Sequence, residues 1–441
     1  MRKEYHILIE GRRYSRSKAP SSARGRNRSV VQSLANLRVI DLSHVIAGPA
    51  ASHYLAAFGA DVLKIENPRA PDVMRYVDAG PADGISTTFA ALNAGKKSLA
   101  IDLKNSRLRD LLLGMVRDAD VFIENFRPGT SRRLGLDYEA VKAVNPRIVY
   151  LSISGYGQTG RWSRFGAYDQ VVQALTGMMM LNGEDKGPPT KVGFPVVDMA
   201  TGLFGALAVL AAIHRRTTSN IGAHIDASLA QSAVQLMRPV VTRVLATDRD
   251  APRAGNRGFS GSPGASTFQC SDGWLAVAAN TQAQFRRLCE LIGLPGVADD
   301  PALVSPVGQG GATNVAAVDR SRLVRLMEEA FARHGAAELE PRLNAAGVPA
   351  ARVRSVAEFL REARAGEHVG LELDRIDYGA TGTLHLGPGV AGLGVGGQAR
   401  APRLGADTAE ILRKAGLGEK EIAALARDGA IRIDGEFENE R

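Results

Sequence analysis

The sequence predicts a doubly wound α/β fold, in which parallel strands form a central sheet with helices on both of its faces. Three observations support this class. Residues 37–42 and 62–66 have strand patterns with a helix-like run between them, which makes a βαβ unit. Strand and helix patterns continue to alternate up to residue 154. A stretch rich in Arg, Gly and Pro at 239–264 then precedes a second, smaller set of elements.

Residues 37–213 contain alternating strand and helix patterns, which form the predicted large unit. After the first strand, Gly48-Pro49 predicts a break, and a helix at 50–58 ends at Gly59 before the second strand. The later elements are predicted in this order: a strand at 98–103, a helix at 106–117, a strand at 119–124, a helix at 138–144, a strand at 148–154 and an apolar helix at 199–213.

The second unit is predicted to be a smaller α/β domain. It has a strand at 274–278 and helices at 282–292, 320–334 and 337–346, followed by glycine-rich extended connections at 365–400 and a helical stretch at 408–426. The predicted domains are a basic, mostly disordered arm at 1–33 with a short strand at 5–9, a large domain at 34–238, a linker at 239–266, a small domain at 267–360, and a return connection with a C-terminal helix joining the large domain at 361–441.

The net charge of +9 is concentrated in the arm. Residues 1–32 hold nine basic and two acidic residues, a net +7, whereas the remaining 409 residues hold 46 basic and 44 acidic residues, a net +2. The arm has few aromatic residues between its charges, and the body does not extend the basic surface. A nucleic-acid-binding protein that uses this arm is the alternative to an enzyme. Because neither the arm nor the body has the surface that such binding requires, we expect no nucleic-acid partner.

Cysteine content and hydropathy indicate the compartment. Cys270 and Cys289 are too few for a disulfide framework or a cysteine zinc site, which favours free thiols in a reducing cytoplasm. The longest uncharged apolar run, 199–213, has 15 residues, which is shorter than a membrane span and typical of a buried helix. The first residues do not resemble a secretory signal, and the eight histidines lack metal-ligand spacing. We expect a cytoplasmic protein with no membrane partner and no metal.

The sequence GYGQTG at 155–160 matches G-x-G-x-x-G directly after a predicted strand. A dinucleotide site needs a helix that opens within this motif, with its N-terminus on the pyrophosphate. The following RWSRFG at 161–166 has no helical apolar period, so the motif predicts a ligand-binding loop rather than a nicotinamide or flavin site.

Polar residues at three other element ends are candidates for a site. Asp198 precedes the apolar helix, where it is either an N-cap or a carboxylate nucleophile; the spacing favours the cap, and the two roles are compatible. His44 follows the first strand, where it contacts a ligand or caps the next helix. The loop 124–129, with Arg132 and Arg133 after it, suits a phosphate but equally a solvated surface.

Eight segments occur in a characteristic order: RVIDLS at 38–43, AGP at 47–49, GADVLKIE at 59–66, KSLAIDLK at 97–104, ENFRPG at 124–129, NPRIVY at 145–150, SISGYGQTG at 152–160 and GAYD at 166–169. Together they resemble the class III CoA-transferase family, which includes formyl-CoA and carnitine CoA-transferases and, on the same fold, the 2-methylacyl-CoA racemases. The similarity covers nearly all of the chain after residue 36.

The resemblance implies a Rossmann-like large domain, a smaller domain, and an obligate homodimer of interlocked subunits. It assigns the nucleophile to Asp198. The positions that it implies for binding CoA are His44, Ile46, Ala47, Lys104, Asn125, Phe126, Arg133, Ala167 and Tyr168, with Asp169 as an acidic residue that lines the same site.

The activity implied is the transfer of CoA from an acyl-CoA donor to a carboxylic acid, with a dicarboxylate among the candidates, through an aspartyl-CoA thioester. The CoA thioester is then a substrate, and no permanently bound cofactor is expected. Two residue patterns depart from the family. Asn67 stands where many relatives have arginine, and the segment 258–264 is less glycine-dense than the mobile loop of formyl-CoA transferases, which argues against an oxalate and formate pair.

The alternative on the same fold is an acyl-CoA racemase, which needs two proton-transfer groups at Cα. Racemase relatives have a histidine where this chain has Tyr168, and an ordinary tyrosine is a poor base at neutral pH. The residues therefore favour the transferase.

Overall fold

The computed structural model describes residues 33–78, 85–307, 314–365 and 400–434. Residues 32–441 cluster into one compact unit. The strands are β1 Arg38–Asp41, β2 Asp61–Glu66, β3 Lys97–Ile101, β4 Val121–Glu124, β5 Val149–Ser154, β6 Ala223–Ser228, β7 Gly264–Cys270, β8 Gly273–Ala279, β9 Val304–Val307, β10 Asn314–Ala317, β11 Ala350–Arg352 and β12 Ile431–Arg432.

Within this compact unit, we call the part with strands β1 to β6 and β12 the large unit and the part with β7 to β11 the small unit. The α-helices alternate with the strands in the large unit and cover them in the small unit. They are α1 Ala47–Ala57, α2 Thr87–Asn93, α3 Ser106–Val116, α4 Thr130–Arg133, α5 Tyr138–Val144, α6 Asp169–Leu175, α7 Val196–Ser219, α8 Leu229–Leu236, α9 Arg238–Thr247, α10 Gln282–Leu291, α11 Arg320–Phe331, α12 Ala336–Ala345, α13 Val356–Ala365, α14 Thr408–Lys414 and α15 Glu419–Arg427.

Seven strands form the central sheet in the order β12-β3-β2-β1-β4-β5-β6. β1 to β6 are mutually parallel, and β12 pairs antiparallel with β3 at the edge. Successive residues of each strand point to opposite faces: Val149 and Leu151 of β5 pack with α1 and α7, whereas Tyr150 packs with α3 and α5 on the other side. The predicted doubly wound α/β class is confirmed.

Local sequence explains the helix boundaries of the large unit. Asn105 caps α3 by accepting hydrogen bonds from the N–H groups of Arg107 and Leu108, and Asp137 caps α5 in the same way through Ala140. α3 then buries Leu108, Leu112 and Val116, which share one face because they are four residues apart.

A second core lies under a three-stranded antiparallel sheet of order β11-β8-β7. Phe268 of β7 stacks on Phe331 of α11 with 4.2 Å between the ring centroids, and Phe285 and Leu288 of α10 are fully buried beside them. The predicted boundaries of the small domain stay predictions, since all these elements belong to the same compact unit.

Several predicted elements differ from the structure. Gly48 and Pro49 do not break the chain but lie in the first turn of α1, where a proline ring is tolerated because no N–H is needed. The predicted linker at 239–266 is wrong at its start, where α9 forms. The single C-terminal helical stretch is two helices, separated at Gly416, whose φ of +91° does not fit a helix. The predicted strand at 5–9 and most of the connection at 365–400 lie outside the described residues.

Helices α1 and α7 approach each other closely at a glycine. A Cβ on Gly202 of α7 would lie 2.6 Å from the Cβ of Ala50 and 2.8 Å from the carbonyl oxygen of Ala47. The absence of a side chain at Gly202 therefore allows the backbone of α7 to rest directly on the start of α1.

We expect Gly202→Ala to destabilise the protein by about 1–3 kcal/mol, because Cβ would meet backbone that cannot move without displacing α1. Gly114→Ala on α3 is the matched control, since a Cβ there meets nothing within 4 Å. It should stabilise the protein by about 0.5–1 kcal/mol through helix propensity alone. Urea unfolding of the two variants measures both effects, and equal stabilisation by both would contradict the close contact.

Candidate active site

Three neighbouring strands end at one edge of the central sheet. Because β1, β4 and β5 are adjacent and parallel, the segments that follow them, residues 42–46, 125–129 and 155–168, start side by side. The direction in which the strand order is built reverses between β1 and β4, and ligands of open α/β sheets bind in the crevice at this point. The candidate site is therefore at the carboxyl ends of β1 and β4.

The turn after β1 is joined to the loop after β4 by one side chain. The Asn125 amide accepts a hydrogen bond from the His44 N–H at 2.9 Å and donates one to the His44 carbonyl oxygen at 2.7 Å. The rings of His44 and Phe126 lie 6.5 Å apart at a tilt of 52°. Three predicted site residues that are 81 and 82 positions apart in sequence are thus in one cluster.

The three predicted positions of this turn differ in exposure. His44 and Ile46 are half-buried, and Ala47 is buried as the first residue of α1. Burial, reinforced by the positive charge of Lys64, lowers the pKa of the His44 imidazole below its usual value. His44 is therefore a neutral ring at pH 7 and contributes hydrogen bonding and packing rather than charge.

The loop after β5 packs back on itself. A Cβ on Gly155 would overlap the Cβ of Ala167, so the glycine allows residues 166–168 to rest on the end of β5. No helix forms within 161–168, a fully described stretch, as the lack of an apolar period there predicted. Tyr168 precedes α6, and its side chain is 73% exposed.

Asp198 lies inside α7 rather than at its cap. Val196 is the first residue of the helix and Pro195 its N-cap, so the prediction that Asp198 is the N-cap is wrong. The capping hydrogen bonds come from α6 instead: one carboxylate oxygen of Asp169 accepts the N–H groups of Val197 at 2.7 Å and of Asp198 at 3.0 Å. Two predicted site residues are thereby held together.

This arrangement perturbs the acidity of Asp198. Burial, and secondly the negative charge of Asp169, raise the pKa of the Asp198 carboxyl to about 7. The group is thus close to half ionised at neutral pH, in a position where an ordinary aspartate is fully ionised.

The contacts of three residues that support the site were not predicted from the sequence. Gln173, one turn after Asp169 on α6, donates to its carboxylate at 2.5 Å and accepts the N–H of Val192 at 2.9 Å. Glu124 ends β4 and accepts the N–H of Phe126 at 2.8 Å, while burial raises the pKa of its carboxyl to about 7. Ser152 of the neighbouring strand also hydrogen-bonds Glu124. The i,i+4 spacing of Asp169 and Gln173 was the one signal that could have indicated such a contact.

The remaining two predicted positions lie outside the cluster around Asn125 and Asp198. Lys104 follows β3, and its side chain is exposed beside Asn67 and Asp102, which hydrogen-bond each other at 3.4 Å. Arg133 is exposed at the end of α4, where it donates to the Thr130 hydroxyl at 2.8 Å. Both cations are therefore accessible to a ligand that extends over the sheet edge.

Comparison with protein families decides the class. The model of CoA-transferase family III matches residues 34–408. This chain belongs to CoA-transferase family III. An acyl-CoA transferase from Fusarium pseudograminearum is 34% identical over 90% of this chain and 88% of its own length. A succinyl-CoA:glutarate CoA-transferase from Mus musculus is 32% identical over 81% of this chain and 80% of its own length.

Solved structures agree with this membership. The crystal structure of a CAIB/BAIF family protein from Brucella suis superposes with a TM-score of 0.74 at 29% sequence identity, and the match covers 87% of this chain and 99% of that one. The predicted resemblance to class III CoA-transferases is therefore confirmed, as is the prediction that the protein is an enzyme of that class.

Among the described helices of this family III CoA-transferase the longest is α7, which has 24 residues where the sequence predicted 15. Within the described part of the chain, it is the one helix long and apolar enough to cross a membrane, judged by length and composition alone. Of its most apolar 18 residues, 44% are buried. Its buried residues, among them Val197, Thr201 and Val209, pack into the large-unit core, as those of a core helix do.

We expect Asp198→Asn to stabilise the protein at pH 8 and to have little effect near pH 4. The folded-state pKa of about 7 lies above the unfolded value of 3.8, so folding binds a proton between these values and the wild type loses stability as the pH rises through them. Three pKa units correspond to roughly 4 kcal/mol as an upper limit. Urea unfolding at both pH values measures the effect. Asp185→Asn in an exposed loop controls for the lost charge, and a gain that does not depend on pH would contradict the raised pKa.

Proposed function

We propose that this enzyme transfers CoA from an acyl-CoA donor to a dicarboxylic acid through a thioester on Asp198. The observation that carries the proposal is the half-buried Asp198 carboxyl at the start of α7, whose backbone N–H is bonded to Asp169 and whose pKa is raised to about 7. One turn later, Gly202 rests on the start of α1, which follows the His44–Asn125 turn. Relatives that support a dicarboxylate are a succinate–glutarate CoA-transferase from Agrobacterium fabrum and a succinyl-CoA:mesaconate CoA-transferase from Haloarcula hispanica.

In this proposal the CoA substrate lies along the carboxyl edge of the sheet. His44, Ile46 and Ala47 border it from β1 and α1, and the loop after β4 borders it on the other side. The exposed cations Lys104 and Arg133 are suited to its phosphates, since neither is neutralised by a carboxylate ion pair in the described part of the chain. The positions assigned to CoA are therefore His44, Ile46, Ala47, Lys104, Asn125, Phe126, Arg133, Ala167 and Tyr168, with Asp169 lining the reacting end.

In the proposed reaction, the Asp198 carboxylate lies next to the thioester of the acyl-CoA donor. Ionised Asp198 attacks the donor carbonyl carbon, and the CoA thiolate leaves to give a mixed anhydride. The thiolate then attacks the aspartyl carbonyl and releases the donor acid, which leaves an aspartyl-CoA thioester. The acceptor carboxylate attacks this thioester and displaces the thiolate. Attack of the thiolate on the acceptor acyl carbon gives the product thioester and regenerates Asp198.

The deciding experiment incubates the protein with succinyl-CoA and a panel of acids that includes glutarate, mesaconate, oxalate and acetate, and follows new CoA thioesters by mass spectrometry. Hydroxylamine added during turnover should leave a hydroxamate on the peptide that contains Asp198. We expect Asp198→Ala to lower transfer by roughly 10³-fold or more and to abolish the hydroxamate. Asp185→Ala should change neither.

The outcomes separate the competing functions. Transfer that survives Asp198→Ala would remove Asp198 from the mechanism. Exchange of the α-proton of a 2-methylacyl-CoA without acyl transfer would instead identify a racemase. Transfer to acetate with the same efficiency as to glutarate would contradict the dicarboxylate preference.

We further propose a homodimer, which an exposed apolar surface on α6 to α9 supports. Its exposed side chains are Val171, Leu175, Leu203, Leu207, Val234, Leu236 and Leu245. On α7 alone, Leu203 is 50% and Leu207 62% exposed, and apolar surfaces of this extent mark protein interfaces. A second copy of the chain is the proposed occupant, and the proposed compartment is the cytoplasm, in keeping with the buried free thiols of Cys270 and Cys289.

We expect light scattering after size exclusion to give twice the 46.8 kDa of one chain. The double variant Leu203→Glu, Leu207→Glu should be monomeric or insoluble, because two carboxylates would be buried in the interface. Val318→Glu is the control, since Val318 is 56% exposed but lies in the small unit. A wild-type protein with the mass of one chain would contradict the dimer.

A further inference from the structure

The turn after β1 contains a residue in an unusual backbone conformation. In the described segments, three non-glycine residues have φ in the left-handed region: Val45 at +71°, Asn220 at +56° and Asp248 at +51°. Asn220 and Asp248 end α7 and α9, where asparagine and aspartate are tolerated. Val45 is β-branched, and its two Cγ atoms make this conformation costly. The surrounding structure must hold it there.

The Val45 N–H is held by a buried carboxylate. It donates to both oxygens of Asp72, at 3.1 and 3.2 Å. The ammonium of Lys64 in turn bonds Asp72 at 3.0 Å and the Ser43 carbonyl oxygen at 2.7 Å. Both side chains are fully buried, so the pair holds the turn from both sides of His44 without competition from water.

The other polar groups of the turn are held as well. The Ser43 N–H donates to Asp41 at 2.9 Å, and Asn125 binds both backbone groups of His44. Asp41 in turn forms an ion pair with buried Lys96 at 3.2 Å. Side chains from β1, β2, the segment after β2 and the loop after β4 therefore fix residues 43–45 in one conformation.

Stability of the fold does not account for this arrangement. A buried ion pair contributes little net stability, because desolvation of both charges offsets their attraction. A glycine at position 45 would adopt the same φ at no steric cost. The chain instead combines a strained valine with a desolvated ion pair, next to residues proposed to bind CoA. Strain that is fixed by its surroundings in this way is typical of ligand sites, where it provides preorganisation.

We propose that Lys64 and Asp72 are positioning residues that hold Val45 in the left-handed conformation, and thereby hold His44 and Ile46 in the geometry that binds CoA. This inference rests on the proposed function, since that function places CoA at His44, Ile46 and Ala47. If φ of Val45 returned to negative values, the chain would leave the turn in another direction, and His44 and Ile46 would no longer both face the sheet edge.

The test measures the Kd for CoA by titration calorimetry and compares KM with kcat in the transfer assay. Asp72→Asn keeps the shape of the side chain but removes its charge. We expect it to raise the Kd and the KM about tenfold and to change kcat less than twofold. Adding Val45→Gly to this variant should restore the Kd to within about threefold of the wild type, because glycine adopts the conformation without being held. Val45→Gly alone should bind CoA like the wild type.

A second pair of variants covers the case in which Asp72→Asn does not fold. Lys64→Met with Asp72→Leu removes both buried charges, a replacement that cores often accept. It should weaken CoA binding in the same way, and Val45→Gly should again restore it. Asp185→Asn controls for the negative charge that Asp72→Asn removes; the double replacement leaves the net charge unchanged.

The results separate this inference from the proposed function. If the wild type does not bind CoA, the proposed site is wrong and the inference fails with it. If the wild type binds CoA, but removing the pair lowers only the melting temperature and leaves the Kd unchanged, the pair is purely structural and this inference alone is overturned. The same holds if Val45→Gly restores no binding.

Discussion

The contact of α7 with α1 at Gly202 is the constraint on which the geometry of the candidate site depends. Because Gly202 has no side chain, α7 rests on the carbonyl of Ala47, the first residue of α1. Asp198 is one helical turn before Gly202, so the same contact holds the first turns of α7 against the start of α1, where the His44 turn ends. A side chain at position 202 would separate the two helices. The proposed nucleophile would then move away from the turn, although Asp198 and the turn residues themselves were unchanged.

A second constraint is electrostatic. Asp169 satisfies the N–H groups at the start of α7, which an isolated helix would leave to a cap of its own. The same carboxylate lies beside Asp198, and with burial it raises the pKa of that group to about 7. The carboxylate that fixes the position of Asp198 through hydrogen bonds therefore also opposes its ionisation through its charge. For the proposed nucleophile, this is a local cost to stability at a functional position.

Part of the fold and of the site could be predicted from the sequence. The strand and helix periodicities of residues 37–154 predicted the parallel sheet, because alternation and capping residues act over a few positions. The resemblance to the family predicted Asn125 and Asp198 as site residues, but it did not predict their contacts. The roles of Lys64, Asp72 and Gln173 were missed, because nothing in the sequence distinguishes a buried ion pair or a buried amide from one exposed to solvent.

The sequence by itself determined the alternation of strands and helices in residues 37–154 and the family, and it predicted which polar residues lie at one edge of the sheet. Only the tertiary structure decided that Asp198 lies inside its helix, that its cap comes from Asp169, and that Val45 has a φ of +71°. The physical reason is that these features depend on contacts between residues 27 to 81 positions apart. Burial and distance set the strength of such contacts, and neither is a property of the local sequence.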